Sequence, residues 1–362
     1  MLAIIAGGGF MWLKGLHLED IQQVFVDTAQ QAQQQVQQGA ASQFAIPGFG
    51  TVAGTPTQNY APVPPPAQGN QTFRLATFNI QVFGDTKASK PHVMWELAAI
   101  VNRFDIVAIQ EIRTQDDAFM ARFAQLCSQV GGRAWQHHVG PRLGNTRSTE
   151  QYAYLWDAAK FEINPNMVYT VADPENVLHR EPLVAMFRTR GVPPEQAFTF
   201  VLVNIHTDPD VAKDEMNMLP QLYNLIRDQT MRLYGQAEDD IIVLGDFNTN
   251  VPMTYPPPPS GNRPITQSDF GLLGNVPGLY PVVRDEPTNV IRNRLHDNIL
   301  IQRQNTSEYT LRGGVYDIER NNGRTLEQVK EISDHLPVWA EFSVYESGIP
   351  GQVATGAGMN RR

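Results

Sequence analysis

Cysteine is almost absent: Cys127 is the one thiol in 362 residues, which excludes an internal disulfide and any multi-thiolate metal site. It falls in an apolar helical pattern with Phe123, Leu126 and Val130, the setting of a packed core thiol. Basic charge is also short. Lys and Arg number 28 against 37 Asp and Glu, leaving a net charge of −9. That balance excludes a protein that passively coats nucleic acid, which needs a basic surface. It leaves room for a phosphodiesterase whose bound cation offsets a cluster of acids. No apolar run reaches the roughly 20 residues that span a bilayer. The nearest approach, Met1–Leu13, is apolar apart from its glycines and matches a signal-peptide core in length. No basic residue precedes it and no clear small-residue cleavage site follows. Residues 1–18 are read as an apolar N-terminus serving export or membrane attachment. What is plentiful is ordinary: 42% hydrophobic and 18% charged residues describe a globular protein, long enough for one large core or two.

Composition divides the chain. Residues 19–38 are glutamine-rich, with Ile21, Val24, Phe25 and Val36 among the apolar positions, and a helix is expected there. Residues 39–70 turn to Gly, Ala, Thr and Pro and read as a linker, extended where Pro62, Pro64, Pro65 and Pro66 cluster. The domain should occupy 71–345, with a flexible glycine-containing tail over 346–362. No internal repeat is present.

Within the domain, the stretch Asp239-Asp240-Ile241-Ile242-Val243-Leu244-Gly245-Asp246-Phe247-Asn248 predicts a strand buried on both faces. Alternation along an extended backbone puts Asp246 and Asn248 on one side and Phe247 on the other. Comparable strands are expected over 73–80, 105–112, 150–156, 181–187, 198–206, 297–301 and 335–342, with helices over 91–103, 116–130 and 215–234. Many strands separated by few helices predict an α+β or layered architecture, not a regular βαβ barrel.

Polar residues gather at the ends of these strands. Asn79, Glu111, Asp246 and Asp334 offer oxygen ligands of the kind magnesium or manganese takes. Oxygen ligands alone do not separate those two ions, and calcium stays among the candidates. His206 and His335 each have an acid available for orientation and can move protons. Phosphodiester hydrolysis needs both sets, one for the negative transition state and one for the attacking and departing oxygens. Singly, each residue has an ordinary structural role open to it: a helix cap for Glu111, a turn acid for Asp334, a buried hydrogen-bonded imidazole for His206.

Thr77-Phe78-Asn79-Ile80-Gln81-Val82-Phe83-Gly84, Ile109-Gln110-Glu111-Ile112-Arg113, Gly245-Asp246-Phe247-Asn248 and Ser333-Asp334-His335-Leu336-Pro337-Val338 together resemble the endonuclease/exonuclease/phosphatase superfamily. Phe78-Asn79 to Gly84, the Glu150/Tyr152 pair and Arg180-Glu181-Pro182 resemble its deoxyribonuclease I branch. The resemblance implies a four-layer sandwich of two β-sheets flanked by helices, and a monomeric, metal-dependent DNA endonuclease. It implies Asn79, Glu111, Asp246 and Asp334 around the metal, Asn248 on a phosphate oxygen, and His206 with Glu150 and His335 with Asp297 as acid/base pairs. Arg113, Arg180, Asn248 and Tyr152 would meet DNA. Ser148 stands where that branch has a groove-binding tyrosine, and Pro256–Pro259 and 288–296 are expected as altered loops beside the site. A phospholipid or inositol-phosphate phosphatase of the same superfamily is the alternative, although Leu295-His296-Asp297-Asn298 lacks the cysteine of inositol polyphosphate phosphatases.

Overall fold

The computed structural model describes residues 2–6, 9–13, 71–144, 149–173 and 176–348. The expected glutamine-rich helix, the linker, Ser148 and most of the tail lie outside the described residues. β1 (Leu2–Ala6) and β2 (Gly9–Leu13) pair as an antiparallel hairpin. Among the described residues no helix is long and apolar enough to cross a membrane.

The apolar segments of the domain become the strands of two six-stranded sheets. One sheet runs, in spatial order, β11 (Leu279–Pro281), β12 (Arg294–Gln302), β10 (Ile241–Pro252), β9 (Thr199–His206), β8 (Leu183–Thr189) and β7 (Phe161–Thr170). The other runs β13 (Tyr309–Val315), β14 (Val338–Ser343), β3 (Thr72–Phe83), β4 (Ile106–Ile112), β6 (Gln151–Asp157) and β5 (Trp135–Val139). β9 is buried at every position, as a strand covered on both faces must be. A core containing Phe73, Tyr154, Phe187, Phe200 and Phe342 fills the space between the sheets. Phe73 stacks on Phe200 and on Phe342 there, at 5.5 and 5.6 Å between ring centroids. A second core joins the β3 sheet to the helices Pro91–Val101 and Phe119–Gly131. Ala212, Met216, Tyr223 and Ile226 carry the remaining helical layer onto the β9 sheet. The result is the expected four-layer α+β sandwich.

Differences from the sequence reading are local. The predicted helix over 215–234 forms as two, Ala212–Met218 and Pro220–Tyr234. Pro220, which lacks an N–H and fits the first turn of a helix, starts the second. β10 starts at Ile241 and continues beyond Asn248 to Pro252, past a register shift between Asp246 and Val251. Just past 345, Glu346 is buried in a short turn of 3-10 helix.

Candidate active site

Three neighbouring strands set the floor of the site. Asp246 on β10 lies opposite Asp297 on antiparallel β12 and opposite His206 on parallel β9. Gly245 makes that alignment feasible: its φ is +147°, and a Cβ there would lie 1.9 Å from the Ile205 carbonyl oxygen. Phe247 points away, fully buried with its ring edge-on to Phe270 at 5.5 Å. The opposing sheet supplies Asn79 from β3 and Glu111 from β4. Beneath them Gln110 donates to Thr77 Oγ1 (2.9 Å) and to Asn204 Oδ1 (2.6 Å), a buried polar tie from β4 to β9.

Each histidine is oriented by a buried carboxylate. His206 Nδ1 donates to Glu150 Oε1 at 2.6 Å, and His335 Nδ1 donates to Asp297 Oδ2 at 2.8 Å. Each Nε2 is thereby turned toward the same atom: Asp246 Oδ2 lies 3.6 Å from that of His206 and 3.7 Å from that of His335. Burial opposes the charged form of His335, but Asp297 and Asp246 outweigh it and push the imidazole up to about 10. His206 also moves up, its burial outweighed by Glu150 and Asp246. Asp246 is held down at about 2, its burial outweighed by His335 and His206. Asp246 is thus held ionised, and its charge favours the protonated form of each imidazole until a cation offsets it.

Asn79 Nδ2 bridges the metal-competent acids, donating to Asp246 Oδ2 at 3.0 Å and to Glu111 Oε1 at 3.2 Å. Its own Oδ1 is buried without a hydrogen-bond partner. An amide donor wedged between two carboxylates and an orphaned amide oxygen beside it fit a place for a hard cation. With the amide turned over, three oxygen ligands would converge. Asp334 stands at the exposed rim, accepting from Gln81 Nε2 at 2.8 Å and lying 3.9 Å from His335 Nε2. Asp246, Asp297 and His335 also offer atoms within 4.8 Å of one another. Two of those three already share a proton, so Asn79, Glu111 and Asp246 are the better cation set. Around it the backbone is strained: Val82, Glu111 and Asn248 all have positive φ, and Val82 N donates to Glu111 Oε2 at 2.9 Å.

Two residues expected to meet DNA are buried beside His206. Tyr152 is 1% exposed, and its hydroxyl accepts from His206 N at 2.8 Å and faces the His206 carbonyl at 3.4 Å. Arg180 is 8% exposed; its Nε donates to the His206 carbonyl at 2.9 Å and lies 3.0 Å from Glu150 Oε1. Both bond to the backbone of His206. Arg113 is partly exposed and reaches Glu150 at 3.1 Å and Glu111 at 3.3 Å. Asn248 Nδ2 donates to the Thr207 carbonyl at 2.7 Å at the site's edge.

Sequence reasoning missed two neighbours. His296 has its ring 5.6 Å from that of His335, and its Nδ1 is buried without a partner. Its position directly before Asp297 was the available signal. Lys87 is buried in the field of Asp334 and Glu111, and burial lowers its ammonium pKa. The segment 288–296 flanks the site as expected, with Val290 N on the Asp334 carbonyl and Thr288 Oγ1 accepting from Asp297 N.

Residues 76–335 match the model of the endonuclease/exonuclease/phosphatase family. The chain belongs to that family. It is similar to deoxyribonuclease-1-like 1 of Homo sapiens, 26% identical with 78% of this chain and 88% of the relative covered. The same protein of Sus scrofa is 28% identical, over 76% of this chain and 83% of its own. Deoxyribonuclease-1 of Bos taurus is 26% identical, over 74% and 91%.

Proposed function

We propose that this enzyme cuts DNA endonucleolytically as a divalent-metal-dependent phosphodiesterase. The observation carrying the reading is the convergence of both Nε2 atoms on one oxygen of Asp246. Two proton carriers facing one point suit a reaction in which one oxygen attacks phosphorus as another departs. The names of the similar proteins support the nuclease over a lipid phosphatase.

Asn79, Glu111 and Asp246, with Asp334 at the rim, would hold magnesium or manganese. The cation would supply positive charge to the phosphoryl oxygens as negative charge builds on them. One histidine takes a proton from the attacking water and the other gives one to the leaving oxygen. Glu150 and Asp297 fix the ring orientations and stabilise the imidazolium forms. Asn248 would donate to a phosphate oxygen, and Arg113, more exposed than Arg180, would meet the backbone. Arg180 and Tyr152 act through His206.

The test is nicking of supercoiled plasmid by the full chain with magnesium, with manganese, with EDTA, and with His335→Ala in magnesium. Nicking that EDTA and the substitution both abolish is the expected result. A folded protein that leaves plasmid intact in either metal would overturn the reading and direct assays to phospholipids and inositol phosphates.

A further inference from the structure

A cavity of about 420 Å³ lies at the end of β3 away from the active site. Arg74, near the start of that strand, precedes Asn79 by a stretch of about 17 Å of extended chain. Six charged side chains line the cavity: Arg74, Arg103, Arg133 and Lys160 against Asp105 and Glu341. Cations are thus in excess there, on a chain whose net charge is −9.

Both carboxylates are already engaged. Asp105 Oδ1 accepts from Arg133 Nη2 at 2.6 Å and from Lys160 Nζ at 2.7 Å, and its Oδ2 accepts from Arg74 N at 2.8 Å. Glu341 Oε1 accepts from Arg312 Nη1 at 3.0 Å and from Thr310 Oγ1 at 3.3 Å. Two of the cations keep donors in hand. Lys160 has three ammonium protons and gives one, to Asp105, among the described residues. The Arg74 guanidinium makes no hydrogen bond among them: its Nε lies 3.9 Å from Glu341 Oε2, and the group rests over the Trp339 ring at 5.1 Å. Arg133 is held by Asp157 and the Phe104 carbonyl, and Arg103 bonds to Tyr316, so these two contribute charge more than free donors. Spare donors and a positive field in one concave space suit an anion with several acceptor oxygens.

We propose that Arg74 and Lys160, in the field of Arg103 and Arg133, bind a phosphate group in this cavity. A tetrahedral dianion can accept from the ammonium and from the guanidinium fork at once, which a single carboxylate does less well. The volume leaves room beside the phosphate for an attached sugar, so free phosphate and the phosphate of a mononucleotide are the two sources. Lys160 directly precedes β7, at the edge of one sheet, and Arg74 belongs to β3, inside the other. The bound anion therefore ties the two sheets together at this end. It is separate from the catalytic centre and does not depend on the nuclease reading.

The experiment is calorimetric titration of the metal-stripped full chain with inorganic phosphate, with thymidine 5′-monophosphate and with thymidine. One saturable phosphate site is expected in the unaltered chain and in His335→Gln, the active-site control, and none for thymidine. Arg74→Gln, at a side chain 46% exposed, and Lys160→Gln should each weaken phosphate binding about ten-fold or more. Tighter binding of the mononucleotide than of inorganic phosphate would uphold the site and assign it to nucleotides; the reverse order would uphold it for the free anion. Undetectable binding of both, or equal affinity in the unaltered chain, Arg74→Gln and Lys160→Gln, would overturn the proposal. Loss of binding in His335→Gln alone would overturn it too, by placing the anion in the active site.

Discussion

Arg180 Nε lies 3.0 Å from Glu150 Oε1 while it donates to the backbone carbonyl of His206 at 2.9 Å. One guanidinium thus fixes the carboxylate that orients His206 and the strand end that carries it. Losing it should leave a buried Glu150 with less counter-charge and a mobile imidazole. Arg180→Met is expected to lower kcat about ten- to a hundred-fold with KM for plasmid little changed, and to displace the pH profile. A rise in KM at constant kcat would instead mean that Arg180 contacts DNA.

On the proposed mechanism the two histidine pairs serve one reacting centre, so their losses should not add. His206→Ala and His335→Ala are each expected to cost about 10²–10⁴ in kcat, and the double variant little more than the worse single one. Single-turnover nicking rates measure this directly. Fully multiplicative effects would show that the two imidazoles serve separate steps.

The metal-free protein carries a distinct pH signature. His335 has its folded value raised to about 10 from an ordinary 6.5, so its stabilising contribution is complete below pH 6.5 and disappears as pH rises through about 10. Asp246, held at about 2 from 3.8, contributes above pH 3.8 and loses that contribution as pH falls through about 2. In EDTA, the Tm advantage of the unaltered chain over His335→Gln should therefore shrink between pH 6.5 and 10. A constant difference across that window would place the proton elsewhere.

The ends of the buried strands were readable because their signal is local: an apolar run followed at once by an acid or histidine. Asp246, His206 and Glu111 announce themselves this way, Asn79 does so as an amide, and the layered α+β arrangement follows from the number of such runs. Burial imposed from afar was not readable. Nothing in the sequence around Tyr152 and Arg180 signals their burial, which leaves them 1% and 8% exposed. Gln110 and Asn204 interrupt apolar strands without explanation until the sheets meet and the two amides bond across the gap at 2.6 Å. Four strands of the two sheets, β5, β7, β11 and β13, escaped notice, and β7 and β13 show how weak such patterns are. β7 contains Pro165 and several exposed positions, which its place at the sheet edge tolerates. β13 holds Gly313 and Gly314, which follow a register shift with β14 between Tyr309 and Gly313.

Gly245 offers a test of how the fold sets the chemistry. It is the residue through which β10 approaches β9 closely enough to align Asp246 with His206. Any side chain there meets two penalties: a φ of +147° that L-residues avoid, and the Ile205 carbonyl 1.9 Å from the new Cβ. A backbone carbonyl within a paired strand cannot swing aside as the tip of a long side chain could. Gly245→Ala is therefore expected to cost roughly 3 kcal/mol or more in urea unfolding. It should also depress nicking beyond the loss of folded protein, since relief of the clash separates Asp246 from His206. A variant within about 1 kcal/mol of the parent, with normal turnover, would show that the strands part without disturbing the site.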